Sequence, residues 1–224
     1  MCSSETTISI ADPAEPMTGP RQIIRADAAA LAAADPLLAI AAQVAGDFPV
    51  EMRPAGYETL VWLILGQQVS IAAAEAMFDR LTSTLGGTVA PTGLLSLDDT
   101  TMRACGFTRM KAEYARGIAD QVLGGFFDFD ALGTMQDPEA VETLTSLRGI
   151  GVWTAENYLI WALGRRDVFP AGDLALRVGW QKLTGSSQPL PPDGLRALAE
   201  RWAPRRTAAT FLIWYFYLGE RAGD

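Results

Sequence analysis

Apolar positions along the chain recur at three- and four-residue spacing, and Pro, Gly and Asp interrupt them every few helical turns. Asp35-Pro36 places an N-cap before a proline at the first helical position. Leu37, Leu38, Ile40 and Val44 then follow until Gly46 stops the run. Residues 58–65 and 71–85 form two more apolar helical segments, divided by Gly66-Gln67-Gln68-Val69-Ser70, in which Ser70 is placed to cap the second. Residues 108–123 end at Gly124-Gly125, and Asp137-Pro138 opens a helix with Val141, Leu144 and Leu147 on one face. Residues 153–163 stop at Gly164, residues 173–183 stop near Gly185, and residues 193–202 and 205–218 complete the series. No convincing stretch alternates with the two-residue period of a strand, so the expected fold class is all-α. Residues 1–22 mix Ser, Thr, Pro, Ala and Glu without periodicity and read as a flexible tail. Residues 23–57 with 164–224 are expected to form a terminal lobe and residues 58–163 a central one. The charged, Gly-flanked segment 164–172 is the natural hinge between them.

Composition narrows the chemistry. A chain of 224 residues, 49% hydrophobic, can build one large core or two small ones. Its longest apolar run, residues 211–218, is far short of the roughly 20 residues that cross a bilayer. No basic segment leads into an apolar one near the start, so no membrane association and a cytoplasmic location are expected. Cys2 and Cys105 cannot make a zinc site or an iron–sulfur cluster. Histidine is absent, which removes the commonest general base and metal ligand and leaves carboxylates, Lys, Tyr or water for acid–base work. A net charge of −8 counts against nucleic acid as a partner unless positive charge is gathered locally.

The most informative stretch is Leu147-Arg148-Gly149-Ile150-Gly151-Val152-Trp153-Thr154-Ala155, between two expected helices. Two glycines one residue apart permit a tight hairpin and a close approach of bare backbone, and the following helix begins with unpaired N–H groups and a positive dipole end. Such a hairpin can grip a phosphate without side-chain charge; a plain helix–turn–helix connection is the alternative. Asp173, at the start of a helix, reads on its own as an N-cap. Asp167 is the other acid nearby.

These segments resemble the helix-hairpin-helix DNA glycosylase superfamily. The hairpin is followed by Asp167-Val168-Phe169-Pro170-Ala171-Gly172-Asp173, similar to the family's Gly/Pro-rich loop and aspartate. Ile64-Leu65-Gly66-Gln67-Gln68-Val69-Ser70, Gly106-Phe107-Thr108-Arg109-Met110-Lys111-Ala112-Glu113-Tyr114 and Arg201-Trp202-Ala203-Pro204-Arg205-Arg206 leading into Ile213-Trp214-Tyr215 match in order. Together they point to the 3-methyladenine DNA glycosylase II branch, over about residues 48–218.

The resemblance implies two helical lobes with the active site in the cleft between them, and a monomer acting on double-stranded DNA that contains damaged bases. It implies a monofunctional enzyme that flips an alkylated purine of the 3-methyladenine or 7-methylguanine type out of the duplex and hydrolyses its glycosidic bond. A glycosylase for another lesion, such as hypoxanthine or an etheno adduct, and a catalytically inactive DNA-binding protein are the rival readings. Asp173 matches the essential carboxylate, and Trp153 stands where lyase-type members carry their nucleophilic lysine. Trp153 and Trp214 match an aromatic base-binding pocket, with Tyr158 beside them and Asn157 where members usually have a further aromatic. Gln68 matches the wedge that fills the vacated stack, and Gln67 is placed to brace its loop. Arg148, Gly149, Gly151, Thr154 and Arg166 are the expected DNA contacts, within a wider set of basic residues: Arg165, Arg177, Lys182, Arg201, Arg205 and Arg206. Carbonyls of Thr145, Leu147 and Ile150 match a structural Na⁺ or K⁺ site; no other cofactor is implied. The extra N-terminal mixed domain of longer bacterial members does not fit within this length.

Overall fold

The computed structural model describes residues 19–223. Among these there is no strand, and the fold is helical throughout. The expected tail, residues 1–22, overlaps the first helix: α1 (Pro20–Ala34) begins with a proline at its first position, so residues 20–22 are helical. The stretch before Gly19 lies outside the described residues, as does Cys2. α1 buries Ile24, Asp27, Ala28 and Leu31.

α2 (Pro36–Ala45) starts where Asp35 accepts from the N–H groups of Leu37 and Leu38 and stops at Gly46, at φ +59°. α3 (Tyr57–Gly66) buries seven of its ten residues. Ser70 caps α4 (Ile71–Leu85) through the Ala73 N–H. Three short helices, α5 (Pro91–Leu95), α6 (Asp99–Ala104) and α8 (Phe129–Leu132), are too brief to carry a hydrophobic period and were not legible. Thr108 caps α7 (Arg109–Leu123). α9 (Asp137–Thr145) and α10 (Val152–Trp161) flank the glycine hairpin. α11 (Leu174–Thr184) follows Asp173 and ends at left-handed Gly185. α12 (Pro192–Ala199), a 3-10 turn over Glu200–Trp202 and α13 (Arg206–Gly223) complete the chain.

The main helix contacts fall into two groups. α1, α2, α11 and α13 pack on one another, while α10 packs on α9 and on α3, which also meets α4 and α7. One apolar core runs through both groups, joined by aromatic contacts such as Trp161 with Phe211.

Candidate active site

Segment 164–172, the expected hinge, is partly buried. Val168, Phe169, Pro170 and Ala171 are buried, and the start of α13 pins this stretch in place. The Val168 N–H donates to the Thr207 hydroxyl (3.0 Å), which itself donates to the Arg165 carbonyl (2.7 Å). Arg206 grips Asp167 with both arms of its guanidinium, at 2.9 Å each. Asp167 is thereby committed as a structural anion.

This pinned segment delivers Asp173. Its Oδ1 accepts from the Leu176 N–H (3.0 Å), capping α11. The indole N–H of Trp153, from α10, reaches Oδ2 at 2.7 Å, and that of Trp214, from α13, reaches Oδ1 at 3.1 Å. Three N–H donors from three helices thus fix one partly exposed carboxylate.

The other expected pocket residues separate. Tyr158 is wholly buried: its hydroxyl accepts from the Gly56 N–H (2.7 Å), its ring packs on Phe129, and burial pushes its pKa up to about 12. It is a core residue, because it lies on the side of α10 that faces α3. Asn157 is also buried, donating to the Trp153 carbonyl (2.8 Å) and accepting from the Trp161 indole (3.3 Å). It therefore braces two tryptophans from beneath. Trp161 was missed in sequence although Trp153, Asn157 and Trp161 lie four residues apart on one helix face. Its ring stacks on that of Trp214, with centroids 5.7 Å apart and planes 10° from parallel.

On the proposed DNA side, Gly149 and Gly151 are required for different reasons. Gly149 has φ +92°, and a Cβ there would sit 2.2 Å from the Tyr114 ring. Gly151 has φ −94° and open space around a Cβ, so nothing inside the protein demands a glycine. It precedes the first N–H groups of α10. Thr154, expected to contact DNA, is instead 2% exposed, its hydroxyl accepting from the Gln67 amide (3.1 Å). Gln67 also donates to the Gly149 carbonyl (3.1 Å), and Lys111 donates to the carbonyls of Leu65 and Gln67 at 2.8 Å each. Burial lowers the Lys111 pKa. These bonds join the loop after α3 to the hairpin and to α7, and the exposed Gln68 that follows is left-handed, φ +59°. Lys111 had no signal in sequence beyond its motif.

Most of the basic set is engaged within the protein. Arg166 chelates buried Asp27, with Nη2–Oδ1 at 2.6 Å, and Arg205 joins the same carboxylate at 3.3 Å. Arg165 donates to the carbonyls of Leu132, Gly133 and Met135, Arg177 to that of Leu190, and Arg201 pairs with Asp35. These arginines near Asp173 in sequence thus anchor elements within the fold. Arg148 differs: its side chain is 82% exposed and only loosely near Glu113, at 3.9 Å.

A glycine hairpin one helix away from an indole-clamped aspartate, in an all-α frame, defines a helix-hairpin-helix protein. The chain belongs to the HhH-GPD superfamily of base excision DNA repair proteins, whose family model matches residues 61–205. It is 36% identical over 163 residues to DNA-3-methyladenine glycosylase 1 of Schizosaccharomyces pombe, covering 70% of this chain and 71% of that one. The structure of that organism's 3-methyladenine DNA glycosylase with abasic DNA superposes with a TM-score of 0.78 at 30% identity, over 84% of this chain and 95% of the other. A DNA-3-methyladenine glycosidase of Bacillus halodurans superposes with a TM-score of 0.71 at 32% identity, over 88% and 91% of the respective chains.

Proposed function

We propose that the protein is a monofunctional DNA glycosylase that releases alkylated purines, of the 3-methyladenine or 7-methylguanine type, from double-stranded DNA. The observation that carries this is the convergence of the Trp153 and Trp214 indoles on Asp173. It couples the aromatic surface that would hold a cationic base to the carboxylate that would face its sugar. As the bond between C1′ and the base nitrogen lengthens, its electron pair leaves with the base and C1′ becomes oxocarbenium-like. Asp173 stabilises that charge, and water adds to C1′ and gives up a proton to solvent. An alkylated base already carries positive charge, so it leaves without needing a histidine acid, and it gains a cation–π contribution from tryptophan.

Neither lysine supports a lyase step. The chain has two lysines: Lys111 holds main-chain carbonyls, and Lys182 lies nine residues along α11 from Asp173, about 13 Å away along the helix axis. DNA contact is assigned to Arg148, Gln68 and the backbone around Gly151. The carbonyls of Thr145, Leu147 and Ile150 are neutral, hard oxygens of the kind that would hold Na⁺ or K⁺, and that of Leu147 also accepts from the Ile150 N–H (3.1 Å). An ion there would add positive potential at the hairpin and take no part in bond cleavage. The chain is assigned as a cytoplasmic monomer.

The test is base release from duplex DNA carrying 7-methylguanine or 3-methyladenine. Wild type should leave an intact abasic site, and Asp173→Asn should slow release by about two to four powers of ten. Tight DNA binding with no release from any lesion would make the protein a non-enzymatic DNA binder, and release confined to hypoxanthine or etheno lesions would reassign the substrate.

A further inference from the structure

Of six tryptophans, Trp180 and Trp202 are buried in the core, while Trp62, Trp153, Trp161 and Trp214 are partly exposed. These four are connected. Trp153 and Trp214 share Asp173, Trp214 stacks on Trp161, and Trp62 meets Trp161 edge to face, with centroids 6.1 Å apart and planes at 76°. An aromatic tier therefore runs from the carboxylate to Trp62.

Trp62 is held by polar bonds as well as by ring packing. Its indole N–H donates to Glu75 Oε1 (3.0 Å), and the same oxygen accepts from Arg53 (2.7 Å). The Arg53 guanidinium lies 3.9 Å above the Trp62 ring centre, and the Arg53 N–H donates to the Trp161 carbonyl (2.8 Å). The ring is thus fixed at its face, its N–H edge and its contact with Trp161, yet still reaches solvent. A large apolar ring kept rigid and partly open at the end of an aromatic tier is suited to bounding a planar ligand.

We propose that Trp62, clamped by Arg53 and Glu75 against Trp161, is the wall that limits the size of the base this site accepts. The inference rests on the glycosylase reading. It assigns selection between compact methylated purines and wider ring-extended adducts to this residue, with Arg53 and Glu75 as positioning residues.

Two measurements test it. Release of 3-methyladenine and of 1,N6-ethenoadenine from duplex DNA is compared in wild type, Trp62→Ala and Glu75→Gln. Trp62→Ala should shift the ratio of kcat/KM toward the wider base by about tenfold or more, and Glu75→Gln, which removes no packed volume, should shift it less but in the same direction. Calorimetry with the two free bases reads the wall without turnover and should show the same order of shifts in Kd. Loss of release in wild type with the calorimetric shift preserved would sink the glycosylase reading alone. Unchanged selectivity in both measurements, in either folded variant, would overturn the wall.

Discussion

At the scale of single residues, the two hairpin glycines make opposite predictions. Gly149→Ala forces a Cβ into the Tyr114 ring at a positive φ, so thermal unfolding should show a loss of about 1–3 kcal/mol. Gly151→Ala meets open space at an ordinary φ, so stability should change by less than about 0.5 kcal/mol while DNA affinity falls. If affinity is untouched, the backbone there does not meet phosphate. Sequence spacing revealed that both glycines mattered but not that they matter differently, since that depends on Tyr114, remote in sequence. Likewise Asp173 reads alone as a helix cap; the cap exists, and the two indole donors are what distinguish it from any other N-cap.

At the scale of elements, the start of α13 acts as a clasp on the segment carrying Asp173. Arg206→Met should cost about 2 kcal/mol in denaturant unfolding, because two charge-assisted bonds to Asp167 are lost. It should lower kcat with little change in DNA affinity, since Asp173 loosens while the hairpin does not. An unchanged kcat would mean the buried Val168, Phe169 and Ala171 suffice to place the carboxylate. The same reasoning separates two arginines once grouped by sequence. Arg148→Ala should reduce the slope of log K against log salt by about one, whereas Arg166→Ala should leave the slope alone and destabilise the fold through Asp27. Helix periods and caps were legible because they are local. The partners of the arginines were not, because each lies on a distant element.

At the scale of the whole molecule, one buried carboxylate and one partly buried carboxylate set opposing pH dependences. Burial raises the Glu156 carboxyl above its ordinary 4.5, outweighing its bond from Arg196. Its stabilising contribution is therefore full below that value and declines as pH rises through the folded pKa. Asp35 is also raised by burial, but bonds from Trp202, Leu37 and Leu38 and the charge of Arg201 bring it below its ordinary 3.8. Its contribution is present above 3.8 and lost as pH falls through the lower folded value. Glu156→Gln should flatten the decline in stability toward neutral pH, followed by denaturation from about pH 4 to 8. A steeper decline would show that the Arg196 pair outweighs its desolvation.

The all-α class, the longer helices from α2 onward and the glycine pair between α9 and α10 were readable from periodicity and punctuation, whereas α1 (Pro20–Ala34) was not read. The single core spanning both helix groups was not, because no local pattern records which faces meet. That core is framed by arginines committed to carboxylates and carbonyls within a chain of net charge −8. On the DNA contacts proposed above, a hold made chiefly by neutral N–H groups would release few counter-ions, so residence on undamaged duplex should be brief. The abasic product should depart as readily, leaving turnover governed by base cleavage, with no initial burst separating the first cycle from those that follow.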